Sequence, residues 1–269
     1  MYSRRLVTED QTLSLPRIMC LHGGGTNAKI FQAQCRGLMA QLKSEFRFVF
    51  AEAPFASQAG PDVMSVYSEW GPFKRWLRWR PDHPRVSHED IVRELDQCLE
   101  DAKSQDDRLG ATGEWVALLG FSQGAKLCAS LLYRQQTRAK AYGKHVNNPS
   151  YRFGVLLAGR APLVSLDTSL TLYPPLPDAS QITDVQWHHK QTLYNQGHIL
   201  RIPTIHVHGM RDQGLELHQQ LFTEFCARDR RRLVEWEGNH RVPLKLHDVM
   251  LVAGAIRELA KETGIWIWF

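Results

Sequence analysis

The stretch Trp115-Val116-Ala117-Leu118-Leu119-Gly120-Phe121-Ser122-Gln123-Gly124-Ala125 decides how this chain is read. An apolar run of strand length enters a G-x-S-x-G turn and passes directly into a helical pattern, which is the context in which that motif carries chemistry. The turn is tight enough to strain the backbone of its serine, and any side chain at Gly120 or Gly124 collides across it. Ser122 is therefore expected at the carboxyl end of a strand, beside the positive end of the following helix.

Outward from that segment, short apolar runs alternate with longer stretches of helical period. The strands predicted are Arg17–Leu21, Phe46–Ala51, Trp115–Gly120, Phe153–Ala158, Thr204–Val207 and Arg232–Trp236. The helices between them are Ala28–Lys43, His88–Lys103, Gln123–Arg138, Glu216–Ala227 and Pro243–Glu262. Such alternation describes an α/β fold, a mostly parallel sheet with helices on both faces. Residues 1–269 read as a single domain, since no repeat or low-complexity linker divides them and the length suits one α/β unit. Pro54–Arg85 and Pro162–Gln196 interrupt the alternation just past strand ends, where open α/β sheets bind ligands, and are candidate substrate-binding insertions.

A serine hydroxyl is a poor nucleophile at neutral pH, so Ser122 needs a base and a carboxylate to orient it. The strand Thr204–Val207 is followed by Gly209-Met210-Arg211-Asp212, a carboxylate on a turn past a strand end. The next strand is followed by Glu237-Gly238-Asn239-His240-Arg241-Val242-Pro243, a histidine in a loop before the last helix. The chain order serine, acid, histidine matches the requirement. Among twelve histidines, His240 alone joins that order to a strand-loop-helix setting; His206 and His208 alternate along a strand and are expected to share one sheet face, and His22, His188 and His189 lack such a context. Asp212 has a second use as a helix cap. For the oxyanion, the loop Leu21-His22-Gly23-Gly24-Gly25-Thr26-Asn27 and the turn after Ser122 offer two backbone N–H groups, assigned to Gly24 and Gln123. A phosphate-binding reading of those glycines fails, because neither G-x-G-x-x-G nor Gly-Lys-Ser/Thr is present.

Composition excludes other classes. With 43% apolar and 23% charged residues the chain is of ordinary globular make-up, and it has no run near the roughly 18 apolar residues of a membrane span. The first ten residues carry charge without a secretory pattern, so a cytoplasmic location is expected. Five scattered cysteines read as free thiols, with no cluster at metal spacing, and the mechanism asks for no metal and no organic cofactor. The net charge of +5 comes with no nucleic-acid-binding motif.

The insertion Glu69-Trp70-Gly71-Pro72-Phe73-Lys74-Arg75-Trp76-Leu77-Arg78-Trp79-Arg80 mixes aromatic and basic residues. Its rings have two uses, as a cap packed onto the body or, with Trp70, Phe73, Trp76 and Trp79, as the apolar wall of an acyl pocket. Arg228-Asp229-Arg230-Arg231-Arg232 reads as a helix end or as a dock for an acidic acyl-carrier domain. The closing Ile265-Trp266-Ile267-Trp268-Phe269 suits packing on the body or an oligomer contact.

Together these motifs resemble the fungal FSH-type serine hydrolases of the α/β-hydrolase superfamily. The resemblance covers nearly the whole chain and rests on Leu21-His22-Gly23-Gly24-Gly25, Glu52-Ala53-Pro54-Phe55 with Ala59-Gly60-Pro61, Gly71-Pro72-Phe73, Gly120-Phe121-Ser122-Gln123-Gly124, Ile202-Pro203-Thr204 with Gly209-x-x-Asp212, and Gly238-x-His240-x-x-Pro243. Within that family the chain is similar to stand-alone thioesterases of the kind that release the lovastatin nonaketide, and to related hydrolases of fungal polyketide clusters. The resemblance implies an α/β-hydrolase fold and a serine hydrolase releasing an acyl group from a synthase-bound thioester, with an acyl-carrier domain of a polyketide synthase as partner. Carboxylesterase action on a small ester or lactone is the runner-up, and a scaffold that binds without catalysis is the reading from another class. The triple glycine departs from the family's single variable residue after His-Gly and leaves Gly25 as an alternative donor to Gly24. Gln213 after Asp212 is a second departure.

Overall fold

The computed structural model describes residues 10–61, 63–143, 150–183 and 197–265. Its centre is a six-stranded sheet of β1 (Arg17–Leu21), β2 (Arg47–Ala51), β5 (Trp115–Phe121), β6 (Phe153–Leu157), β7 (Thr204–Gly209) and β8 (Arg231–Trp236). All neighbours pair in parallel, in the order β2-β1-β5-β6-β7-β8. Parallel strands covered on both faces read as continuous apolar runs, and every residue of β1, β5, β6 and β7 is buried. Alternate residues feed two cores. Met19, Leu21 and Leu118 join one, and Ile18, Cys20, Ala117 and Leu119 join the other.

The helices are α1 (Ala28–Gln34), α2 (Arg36–Leu42), α3 (Met64–Tyr67), α4 (His88–Arg108), α5 (Gln123–Tyr142), α6 (Leu215–Phe225) and α7 (Leu246–Glu262). The first predicted helix is two, divided at Cys35, where the backbone leaves helical angles so that α2 turns onto α7. Helix α4 outruns its predicted end at Lys103. Asp106 and Asp107, poor helix formers, are held there by Arg17, and Asp106 is also held by Arg47. Strand β6 stops one residue short because Ala158 adopts φ 50° and turns the chain out of the sheet.

The Pro54–Arg85 insertion contains an element that periodicity did not show, an antiparallel ribbon of β3 (Phe55–Ser57) and β4 (Phe73–Arg75). The second insertion is described only to Thr183, so Trp187, His188 and His189 lie outside the described residues, as do 266–269 of the closing apolar run. All five cysteines are free thiols, and no helix among the described residues is long and apolar enough to cross a membrane.

After β1 the chain builds β2 on one side and then crosses to build β5 on the other. The two loops leaving β1 and β5 therefore diverge, which opens a crevice at the carboxyl ends of those strands. The loops concerned are His22–Asn27 and the Ser122 turn.

Candidate active site

Ser122 leaves β5 at φ 53°, ψ −114°, a left-handed conformation that a non-glycine residue adopts only under constraint from its surroundings. The constraint is visible at both glycines. A Cβ on Gly120 would lie 2.4 Å from the Gly124 backbone, and one on Gly124 would lie 2.0 Å from the Leu21 carbonyl oxygen. Helix α5 starts at the next residue, which puts the serine at its positive end.

His240 and Asp212 converge on this serine from the β8–α7 and β7–α6 connections. Ser122 Oγ lies 2.9 Å from His240 Nε2, and His240 Nδ1 lies 2.6 Å from Asp212 Oδ2. Asp212 serves both uses read from its sequence position, because its other oxygen accepts the Gly214 N–H at 2.8 Å as α6 begins. Burial raises the carboxyl's pKa, but the His240 hydrogen bond, the His240 charge and the Gly214 N–H together hold it down at about 2. The acid stays ionised across the working range, as a group that orients an imidazole must.

Behind the acid lies a feature without a sequence motif. His218, fully buried in the first turn of α6, points Nε2 to 3.8 Å from Asp212 Oδ2, and its ring lies tilted against that of His240 with centroids 6.0 Å apart. Burial pulls its pKa to about 3, so it is neutral. His206 and His208 do share one face of β7 as expected, packed with Phe222, and burial keeps both neutral as well. Asp212, His218 and His240 bring three metal-competent atoms within 4.8 Å of one another. Two of these atoms already share the hydrogen bond that orients His240, so the set fits a triad and its buried support better than a metal centre.

The loop after β1 distinguishes Gly24 from Gly25. Gly25 spends its N–H on the Lys74 carbonyl at 2.9 Å. The Gly23 carbonyl accepts from Thr26 Oγ1 at 2.7 Å and lies 2.8 Å from His22 Nδ1, and across the trans peptide this turns the Gly24 N–H to the opposite side. Among the described residues neither the Gly24 nor the Gln123 N–H donates to the protein. A Cβ on Gly24 would touch the Gln123 side chain at 3.3 Å, so the loop after β1 packs against the residue that follows Ser122.

The four aromatic residues have different surroundings. Trp76 is fully buried in the core, donates Nε1–H to the His22 carbonyl at 2.7 Å and packs 5.0 Å from the His22 ring. Trp70 lies under Lys29 Nζ at 4.6 Å and borders a groove of about 570 Å³ on the outer face of α1 and α2. Phe73 belongs to β4, and Trp79 packs edge-on against His83 at 5.3 Å. Of the four rings expected to wall an acyl pocket, Trp76 is thus committed to the core, where it supports the loop after β1. The Gln123 amide holds the Trp76–Leu77 segment in turn, accepting the Trp76 and Leu77 N–H groups at 2.8 and 3.1 Å and donating to Leu77 O at 3.0 Å. Sequence reasoning assigned Gln123 for its backbone alone. Trp76→Ala is expected to cost about 3–5 kcal/mol of stability in a urea titration, as large aromatic deletions from a core do. A cost below about 1 kcal/mol would return Trp76 to the list of surface rings.

The basic run is also largely committed. Arg231 donates to the Phe222, Thr223 and Cys226 carbonyls at the end of α6, and Arg232 pairs with Glu258 and Glu262. It offers a smaller free positive surface than its sequence promises.

Residues 12–251 match the family model described as Serine hydrolase (FSH1). The chain is 66% identical to esterase citA of Monascus ruber over 264 residues, 98% of this chain and 99% of that protein. It is 65% identical to esterase claE of Penicillium crustosum over 258 residues, 96% of this chain and 97% of that one. Among solved structures, a carboxylesterase from Mesorhizobium loti superposes with a TM-score of 0.52 at 16% identity, covering 93% of this chain and 92% of its own. Esterase PE8 gives 0.51 at 15% identity, covering 93% and 95%. At such identities the structural likeness speaks for the fold, which is that of the α/β-hydrolases.

Proposed function

The chain belongs to the FSH1 serine hydrolase family, and from that premise we propose that Ser122, His240 and Asp212 are its catalytic triad. The observation that carries this is the continuous chain of contacts from Ser122 Oγ through His240 to Asp212, at 2.9 and 2.6 Å. In this reading His240 Nε2 takes the serine proton as Oγ attacks the acyl carbon, while Asp212 holds the Nδ1–H tautomer. The Gly24 and Gln123 N–H groups stabilise the tetrahedral oxyanion, the second with the dipole of α5 behind it. His240 then gives its proton to the leaving thiol or alcohol, and water, activated the same way, releases the acid and frees Ser122. Covalent labelling by a fluorophosphonate probe, abolished in Ser122→Ala, tests the nucleophile directly.

The substrate proposed is an acyl thioester, delivered by an acyl-carrier domain of a polyketide synthase. Its support is the resemblance of Gly120–Gly124 and Gly238-x-His240-x-x-Pro243 to polyketide-releasing thioesterases. The names of the relatives, esterases citA and claE, favour an oxygen ester as the second reading. Comparing an octanoyl thioester of N-acetylcysteamine with the matching oxygen ester separates the two. The thioester is expected to have the higher kcat/KM by about tenfold or more, equivalent to about 1.4 kcal/mol of transition-state preference. A preference of that size for the oxygen ester would replace the first reading by the second.

A further inference from the structure

The short segment Lys74-Arg75-Trp76-Leu77 touches both halves of the candidate oxyanion site. Toward the loop after β1 it makes three hydrogen bonds. The Lys74 N–H donates to the Thr26 carbonyl at 2.6 Å, the Lys74 carbonyl accepts the Gly25 N–H at 2.9 Å, and the Trp76 indole N–H donates to the His22 carbonyl at 2.7 Å. Toward α5 it makes three more, all to one side chain. Gln123 Oε1 accepts the Trp76 and Leu77 N–H groups, and Gln123 Nε2 donates to the Leu77 carbonyl. Arg75, Trp76 and Leu77 are buried, so water competes little for these bonds.

The two halves differ in how firmly the chain itself holds them. Gln123 opens α5 directly after β5, and the turn before it is tied on both sides: the Ser122 N–H donates to the Leu157 carbonyl at 2.8 Å, and the Ser122 carbonyl accepts the Lys126 N–H at 3.1 Å. Sheet and helix therefore set the position of the Gln123 N–H. Gly24 has no such frame. It is the middle of three successive glycines, whose backbones are the least restricted of any residue. Strand β1 fixes the root of that loop at Leu21, and His22 and Thr26 turn the Gly23 carbonyl. The ties on either side of Gly23 and Gly24 come from the insertion, at His22 through Trp76 and at Gly25 through Lys74. The same four residues are anchored on Gln123, so the pliant half is referred to the rigid one.

We propose that Lys74–Leu77 is a clasp that sets the Gly24 N–H against the Gln123 N–H, and that the Gln123 amide and the Trp76 indole are positioning residues for the oxyanion. The inference rests on the assignment of those two N–H groups to the oxyanion, and it gives the aromatic insertion a part in the reaction. Losing one oxyanion donor costs about 10²–10³ in kcat, and misplacing a group by about 1 Å can cost about a hundredfold. Such donors act as charge develops on the carbonyl oxygen, so the cost falls on kcat and spares KM.

The test uses Gln123→Met, which keeps the length of the side chain and removes its amide, and Trp76→Phe, which keeps a buried ring and removes its N–H. Tm is measured for each, with initial rates on 4-nitrophenyl acetate and on its thiono analogue, in which sulfur replaces the carbonyl oxygen. Sulfur is a weak hydrogen-bond acceptor. The preference for oxygen, divided by the same ratio in alkaline hydrolysis, therefore reports the donors and is internal to each protein. In wild type it is expected to be about tenfold or more. Each folded variant is expected to lose about 10- to 100-fold in kcat with KM changed less than about threefold, and its preference should fall toward the alkaline ratio. The double variant should lose less than the product of the single losses, because either substitution releases the same segment. A folded variant with near-normal kcat, or one whose kcat falls while its preference for oxygen stays, overturns the clasp and leaves the oxyanion assignment standing. Single losses that multiply in the double variant do the same, and Gln123→Met alone decides if Trp76→Phe fails to fold. A wild-type enzyme that cleaves both esters in the alkaline ratio overturns the oxyanion assignment, and the clasp falls with it. Failure of wild type on the acetate overturns the nucleophile.

Discussion

Ser122→Ala is expected to lower kcat for ester hydrolysis by about four to six orders of magnitude while leaving the fold intact. Alanine removes the atom proposed to attack, the Oγ at 2.9 Å from His240 Nε2. It leaves the rest in position: the His240–Asp212 hydrogen bond, the Gly24 and Gln123 N–H groups and the helix dipole. These residual parts still bind and polarise an acyl group, so activity should settle about 10³–10⁴ above the uncatalysed rate rather than at it. Stability should change little. Alanine tolerates the φ of 53° no better and no worse than serine, and the Ser122 N–H keeps its bond to the Leu157 carbonyl at 2.8 Å. The measurements are initial rates on 4-nitrophenyl acetate and the midpoint of thermal unfolding. A folded Ser122→Ala protein with near-normal hydrolysis would remove the whole mechanism.

The sequence made this site legible because its parts are local. G-x-S-x-G between strand and helix, Asp212 past the end of β7 and His240 past the end of β8 are each short motifs in a recognisable setting, and their order along the chain links them. The strands were legible for a related reason: buried parallel strands are apolar on both faces and need no long-range information to be seen. What was not legible depends on contacts between distant segments. The β3–β4 ribbon has three residues per strand, too few for a period to register, and it exists through pairing across the Pro54–Arg85 insertion. Trp76 looked like a pocket wall because its neighbours alternate aromatic with basic residues. Its burial is decided by His22, fifty-four positions away, and by the Gln123 amide. The choice between Gly24 and Gly25 was likewise open in sequence, and it turns on Lys74, whose carbonyl takes the Gly25 N–H. His218 could be found only through the fold, since nothing in Leu215–Phe225 marks it apart from its place in the first turn after Gly214.

Asp212→Asn tests the part of the site where those distant contacts matter most. The substitution keeps the shape and keeps an oxygen for the Gly214 N–H, but it changes what His240 meets. An amide nitrogen facing Nδ1 donates, so the imidazole must carry its proton on Nε2, the nitrogen that has to accept from Ser122. The wrong tautomer is expected to lower kcat by about ten-thousandfold, less than the loss in Ser122→Ala, because the serine, the histidine and the oxyanion donors remain. Stability supplies a second, independent reading. The Asp212 pKa is about 2 in the folded protein, below the ordinary carboxylate value near 4, so the folded state binds fewer protons than the unfolded one between those limits. Its contribution, on the order of 2 kcal/mol, is fully present above about pH 4 and is lost as the pH falls through about 2. The stability advantage of wild type over Asp212→Asn in urea titrations should therefore shrink toward zero as the pH falls from about 4 to about 2. An Asp212→Asn enzyme that retains activity within about tenfold would assign the orienting carboxylate elsewhere. An advantage that stays level down to pH 2 would show that the carboxylate's charge is not what Gly214 and His240 hold in place.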